Sequence, residues 1–175
     1  RMTNEIKLTI WLASKGAPVP AIWDVDLEES TIIMERIDGK PLIDILRANQ
    51  HDEELLIKTG KAIRELHRNA VNHGDLSTNN ILITSEGEVV LIDLGLSSRE
   101  YDLEGFGIDL HVLHEILRAS HPDVKGAMDL VLKGYVALDE ELGKPEIAPG
   151  GMPPDAVDVV KRLNQIMMRV RYHGG

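Results

Sequence analysis

The chain contains no cysteine and few aromatic residues: two tryptophans, three tyrosines and one phenylalanine among 175 residues. Without cysteine there is no disulfide framework, no thiolate zinc site, no iron–sulfur cluster and no cysteine nucleophile. Aromatics at 3% argue against a β-sandwich and against a base-stacking platform for single-stranded nucleic acid. No apolar run approaches the roughly 18 residues of a membrane-spanning helix. The opening Arg1-Met2-Thr3-Asn4-Glu5 carries no apolar signal region. Positive charge is scarce too. Nineteen lysines and arginines stand against 29 aspartates and glutamates, a net charge of −10. Such a chain is a poor candidate for gripping nucleic acid through its phosphates. The simplest reading is a soluble cytoplasmic protein, long enough to bury about 70% of its unfolded surface without staples.

What is present is mostly helical. Apolar spacing predicts a helix over 1–15, ended by Gly16 and Pro18. Short β-branched strands are expected over 22–25 and 31–35, with Glu28, Glu29 and Ser30 turning between them, and Asp38-Gly39 reads as a further turn. A short helix follows over 42–49. A longer one covers 52–69, with Leu55, Leu56, Thr59, Ala62, Ile63 and Leu66 on one stripe. Residues 81–84 and 89–92 form a hairpin closed by Ser85-Glu86-Gly87. Residues 95–106 read as irregular, 108–119 and 124–142 as helices, and 143–154, rich in proline and glycine, as loop. Pro154 and Asp155 open a last helix to about residue 170. The expected class is α+β, mostly α with small antiparallel pieces.

The chemistry concentrates in two stretches, His73-Gly-Asp-Leu-Ser-Thr-Asn-Asn80 and Leu91-Ile-Asp-Leu-Gly95, separated by the hairpin. Asp75 and Asn80 are five residues apart, and Asn80 and Asp93 thirteen. This pattern resembles the protein-kinase catalytic loop H-x-D-L-x-x-x-x-N followed by D-x-G. A metal-bound triphosphate needs hard oxygen ligands, which Asp93 and Asn80 can supply to Mg²⁺. Asp75 is placed to accept a hydroxyl proton or orient a water. Phosphoryl transfer asks for positioning and charge neutralisation more than for covalent chemistry. His73 is expected to brace the loop against Asp109 in the helix behind it.

The resemblance extends upstream. The run Thr31–Met34 followed by Glu35-Arg-Ile-Asp-Gly39 is similar to a kinase hinge, with backbone groups around Glu35 and Ile37 facing ATP. Met34 fits either the adenine pocket or plain core. Glu5 lies thirty residues before Glu35, where the glutamate of a kinase αC helix belongs. On that registration residues 1–34 are a partial N-lobe, 35–39 the hinge and 40–175 a mostly helical C-lobe. The glycine-rich loop and ATP-binding lysine are then expected before residue 1.

Departures from the common kinase pattern narrow the family. Gly74 stands where arginine is usual and Leu94 where phenylalanine is usual, the stretch from Asp93 to Asp109 is short, and no A-P-E follows. With H-G-D-L-S-T-N-N, I-D-L-G-L-S-S, D109-L-H-V-L-H-E-I-L and L-K-G-Y, the chain resembles the PRPK-type atypical kinases of the KEOPS tRNA-modification complex, from about residue 1 to 172. The resemblance implies an ATP- and Mg²⁺-dependent serine/threonine kinase or ATPase, similar to Rio-type kinases. It also implies support of threonylcarbamoyl-adenosine formation in tRNA. Its implied partners are the catalytic threonylcarbamoyl subunit and other KEOPS subunits, with tRNA met only indirectly. The basic tail of the family contacts that catalytic subunit, which points here to Arg169, Arg171 and Tyr172.

Two other classes stay open at this level. One is a pseudokinase-like scaffold, against which the retained Asp75, Asn80 and Asp93 argue. The other is a small-molecule phosphotransferase of aminoglycoside or choline type, which carries larger helical insertions than this chain has room for. His111 and His114, with His121 beyond, read as exposed helix histidines, and Asp139-Glu140-Glu141 as a solvated helix face.

Overall fold

A computed structural model describes residues 2–148 and 150–174. Arg1, the start of the helix read over 1–15, and Pro149 in the proline-rich loop lie outside the described residues. The first helix, α1 (Met2–Ser14), is followed by strands β1 (Ile22–Asp26) and β2 (Thr31–Met34), which pair antiparallel. Asp26 Oδ1 closes their turn by accepting the amides of Glu28 and Glu29 at 2.9 and 3.0 Å. Residues 35–38 then run without regular structure to β3 (Gly39–Pro41), the helix α2 (Leu42–Arg47) and the long helix α3 (Glu53–Arg68). Asp52 caps α3 through the Leu55 amide at 2.8 Å, satisfying one of the orphan donors at a helix start.

Strands β4 (Val71–Asn72), β5 (Ile81–Thr84), β6 (Val89–Leu91) and β7 (Ser98–Arg99) make two further small sheets, with a 3₁₀ turn at Leu94–Leu96 between β6 and β7. β5 lies between β3 and β6, and β4 pairs with β7. Three helices complete the chain: α4 (Leu103–Ser120), α5 (Ala127–Leu142) and α6 (Ala156–His173). No helix among the described residues is long and apolar enough to cross a membrane.

The differences from the sequence reading have local causes. Gly39 is the first residue of β3, paired with Thr84, rather than the corner of a turn. α4 begins at Leu103, five residues earlier than expected, because Asp102 caps it through the Glu104 amide at 3.1 Å. Gly105 and Gly107, which looked like loop residues, lie within this helix; Gly107 packs against Ile166 and Arg162 of α6. α5 starts later than expected because Gly126 stands just before it at φ +72°. The two-residue strands β4 and β7 carry no local signal and exist because the fold brings them together.

The core is organised by the crossing of α3 over α5. Both helices present a glycine at the contact, so that their backbones approach directly. A Cβ on Gly60 would run into the Val131 carbonyl, and one on Gly134 into the Ile57 carbonyl. Leu56, Ile63, Leu66, Val131 and Tyr135 fill the space around that crossing and are almost fully buried. Gly60→Ala is expected to wedge the helices apart at a cost of about 3 kcal/mol, a fall in Tm of roughly 6–12 °C. Thermal unfolding followed by circular dichroism checks it, and an unchanged Tm would show that the crossing tolerates a methyl group.

Candidate functional site

The β5–β6 hairpin folds Asp93 back beside the loop 73–80. The Ile92 amide donates to the Asn80 carbonyl at 3.0 Å, so the residue before Asp93 is bonded to the end of that loop. Asn80 Nδ2 donates to the Asp75 carbonyl at 2.9 Å and to Asp75 Oδ2 at 3.2 Å. Both bonds use the amide nitrogen, which leaves Asn80 Oδ1 available to accept from, or ligate, something else. Asp93 adopts the left-handed conformation (φ +59°, ψ +65°), uncommon outside glycine and best tolerated by Asp and Asn. Its side chain and that of Asp75 are exposed.

The loop hangs from one buried carboxylate. Asp109 of α4 accepts the His73 amide on Oδ2 at 2.5 Å and the Gly74 amide on Oδ1 at 2.9 Å, and Oδ2 also meets His67 Nε2 at 3.0 Å. Asp109 therefore braces the loop as the sequence suggested, but through the backbone of residues 73 and 74. The His73 ring turns the other way. Its Nε2 donates to the Ile92 carbonyl at 2.9 Å, and Nδ1 accepts the Asp75 amide at 3.3 Å. That one imidazole joins the start of the loop to the residue before Asp93. Gly74 has φ +82°, and a Cβ there would strike the Leu96 carbonyl, so this backbone has no room for the arginine usual at that position.

A cavity of about 260 Å³ opens beside Asp93. Glu5 and Thr9 of α1 form one wall, Met34, Glu35 and Ile37 another, and Leu82, Ile92, Asp93 and Leu94 the floor, with Pro20 at the edge. Five residues singled out from the sequence thus meet in one hollow: Glu5, Met34, Glu35, Ile37 and Asp93. Met34 faces this cavity and is 40% exposed, so it is not core. Glu35 is pinned on two sides by residue 21: its amide donates to the Ala21 carbonyl at 2.7 Å and its Oε2 accepts the Ala21 amide at 3.1 Å. α1 is held to the segment after Asp93 by Asn4 Nδ2, which donates to the Ser97 carbonyl at 3.3 Å. Arg99 and Lys15 also lie over the Trp11 ring, each 4.6 Å from its centre. A larger hollow of about 680 Å³, lined by Asp38, Lys40, Gln50, Asp52, Lys58 and Thr84 among others, contains none of the predicted site residues. Size alone does not select the site here.

The tail residues lie elsewhere. Arg169 pairs with Glu104 at 2.6 Å, Arg171 borders a hollow with His111, His114 and Arg118, and Tyr172 is almost fully exposed. None of the three lines the cavity beside Asp93.

Several contributors escaped the sequence reading. Leu82 could have been found from the alternation of β5, which turns Ile81 and Ile83 into the core and Leu82 to the opposite side. His67, Arg64, Tyr135 and Asp139 form a buried polar cluster behind the loop. Asp139 is not on a solvated face: it accepts from Arg64 at 2.8 and 2.9 Å, from Arg68 at 2.7 Å and from the Ala156 amide at 2.8 Å. Burial pushes its carboxyl up, but these donors outweigh that and hold it below the ordinary aspartate value. Burial pushes the His67 imidazole below its ordinary value, against the opposing pull of Asp109.

Comparison with known proteins bears on the family and the fold. The RIO domain family matches residues 2–115. The KEOPS complex subunit Bud32 of Pyrococcus abyssi is 30% identical over 90% of this chain and 67% of its own length. A probable serine/threonine-protein kinase BUD32 homolog of Archaeoglobus fulgidus is 31% identical over 98% of this chain and 76% of its own. A probable bifunctional tRNA threonylcarbamoyladenosine biosynthesis protein of Methanoculleus marisnigri is 30% identical over 98% of this chain. The chain spans 28% of that longer protein. Among solved structures, WbdD in complex with the kinase inhibitor LY294002 superposes with a TM-score of 0.52 at 16% identity, over 79% of this chain and 36% of that one. That likeness concerns the fold alone.

Gly74→Ala is expected to disturb the loop 73–80 at a cost of about 2 kcal/mol or more, from left-handed strain and the Leu96 contact together. Tm and the amide resonances of residues 73–80 check it; resonances left in place would show that the Leu96 carbonyl yields.

Proposed function

The chain belongs to the RIO domain family, with Bud32 proteins among its relatives, and from that premise we propose that it acts as an ATP-dependent atypical serine/threonine kinase or ATPase. The observation that carries this reading is the hydrogen-bonded pair Asp75 and Asn80, joined through the Ile92 amide to Asp93, which itself lines a cavity with Glu5, Met34, Glu35 and Ile37. Asp93 and the free Oδ1 of Asn80 are hard oxygen donors on adjoining segments, a set that suits Mg²⁺. This ion is held by one or two protein ligands with substrate phosphates and water completing its shell. When bound, Mg²⁺ would neutralise charge on the phosphates. Asp75, hydrogen-bonded to Asn80, accepts the proton of the attacking hydroxyl or orients a water. Backbone groups at Glu35 and Ile37 hold adenine, with Met34 and Leu82 as its apolar contacts. Glu5 orients the cation that neutralises the nucleotide phosphates. In this reading residues 1–34 belong to an N-lobe, 35–39 are the hinge and 40–175 form the C-lobe.

One relative is named as a KEOPS complex subunit and another for tRNA threonylcarbamoyladenosine biosynthesis, which supports a role for this chain in that modification within such a complex. For this chain we extend that to a partnership with the threonylcarbamoyl-transferring subunit through α6, where Arg171 and Tyr172 are exposed. Replacing Arg169, Arg171 and Tyr172 together by alanine is expected to weaken that association about tenfold or more, measured by titration calorimetry, with the fold intact. Affinity that stays the same would move the interface elsewhere.

Asp93→Asn keeps a side chain suited to the left-handed backbone but removes the charge. In the complete protein, Mg·ATP turnover is expected to fall about 100-fold or more while the circular dichroism spectrum is unchanged. Turnover equal to that of the unsubstituted protein would sink the reading.

A further inference from the structure

Behind the loop 73–80 a line of buried side chains runs to the start of α6, with a group that can only donate at one end and a carboxylate that can only accept at the other. Arg64, fully buried, can only donate. It gives Nε and Nη2 to the two oxygens of Asp139 at 2.8 and 2.9 Å, and Nη2 also to the Pro154 carbonyl at 2.9 Å. Nη1 reaches the Tyr135 hydroxyl at 3.4 Å, with the guanidinium lying 5.3 Å from the ring centre. A hydroxyl that accepts from arginine must send its own hydrogen elsewhere, and His67 Nδ1 stands 2.7 Å away. The Asp109 carboxylate can only accept, so the proton of the neutral ring sits on Nε2, which donates to Asp109 Oδ2 at 3.0 Å, and Nδ1 is the acceptor for the Tyr135 hydrogen. Asp109 holds the amides of His73 and Gly74. At the far end Asp139 Oδ2 accepts the amide of Ala156, the first residue of α6.

We propose that Arg64 and Tyr135 are positioning residues for the loop 73–80: they fix the tautomer of His67 on which the grip of Asp109 depends, and they tie that grip to the seating of α6. The alternative tautomer would turn a ring lone pair toward the Asp109 carboxylate at 3.0 Å. The repulsion could be relieved by a second proton on the ring, by a proton on the carboxyl, or by displacement of Asp109, which carries both loop amides with it. The second proton is opposed by burial and by Arg64 and His73, against the opposite pull of Asp109. Asp109 of α4 faces it, with Arg64 from its own helix, His73 from the loop, Tyr135 from α5 and the Phe106 ring tilted against it, centroids 4.6 Å apart. α6 and the loop thus share one bonded path through groups that are nearly all fully buried. That the loop is catalytic rests on the function proposed above; the tautomer does not.

The experiment is long-range proton–nitrogen NMR on histidine labelled with ¹⁵N, with amide shifts of residues 73 and 74 read on the same protein. In the unsubstituted protein His67 is expected as the Nε2–H tautomer. Tyr135→Phe, which removes one oxygen, should yield a mixed or doubly protonated His67 and move both amide resonances. Mg·ATP turnover should lose about tenfold or more in kcat with KM within twofold, as expected for misplaced reacting groups. Glutamine presents a donor and an acceptor at similar reach and has no tautomers. The double variant Tyr135→Phe/His67→Gln should therefore bring the two amide shifts back toward their original positions. An Nδ1–H tautomer in the unsubstituted protein, unmoved amides in Tyr135→Phe, or amides that stay displaced in the double variant would each overturn the proposal. If Tyr135→Phe does not fold, His67→Gln alone decides: loop amides in place support it and displaced amides refute it. Absence of turnover in the unsubstituted protein would count against the ATP reading, and the tautomer and amide shifts would still decide this one.

Discussion

One carboxylate supports the whole site. Asp109 sits almost fully buried in α4 and spends its oxygens on two backbone amides of the loop and on one imidazole. A buried carboxylate is tolerable only when its lone pairs are filled, and charge-assisted bonds to amides are the strong kind. The loop could not otherwise hold a sharp left-handed turn at Gly74 while leaving Asp75 exposed. Everything downstream inherits that position: Asp75, then Asn80 through Asp75, then Ile92 and Asp93 through Asn80 and His73.

The polar cluster behind Asp109 is a second constraint, made by desolvation. Arg64 is completely buried, and an unpaired guanidinium there would cost several kcal/mol. Burial works against its charge, yet Tyr135 and Asp139 raise its pKa above the ordinary arginine value. The Asp139 carboxyl is correspondingly depressed. Stabilisation from that carboxylate is therefore complete above the unfolded aspartate value, about 4, and is lost as pH falls through its lower folded value. Opposing this, the buried Tyr135 hydroxyl is pushed up, so it stays protonated at any neutral pH and remains able to donate to His67.

Much of the arrangement was legible in the residues. The stripe of α3, the hairpin β5–β6 and the spacing of Asp75, Asn80 and Asp93 are local signals, and local signals survive into the fold. The spacing from Glu5 to Glu35 has a counterpart in the fold, where both residues line one cavity. What was not legible depends on contact between distant segments. The start of α4 was hidden because Gly105 and Gly107 look like loop residues until Glu100 is placed against the first and α6 against the second. The strands β4 and β7 are too short to have a pattern. Asp139 sat in an acidic run that reads as solvent-facing, and only the return of Arg64, Arg68 and Ala156 from other segments reveals it as a buried acceptor. The Asp109 brace was anticipated, but a sequence cannot distinguish a ring from a backbone amide as the group being held.

The two tryptophans of the chain occupy opposite environments. Trp23 sits at the irregularity of β1, 68% exposed, whereas Trp11 is half-buried on α1 between the Arg99 guanidinium and the Lys15 ammonium. Indole emission shifts to shorter wavelength and is altered by adjacent charge when the ring leaves water. The chain therefore carries its own optical gauge: one fluorophore bathed in solvent as an internal reference, and one whose colour and yield record whether the helix bearing Glu5 is still seated against the segment that follows Asp93.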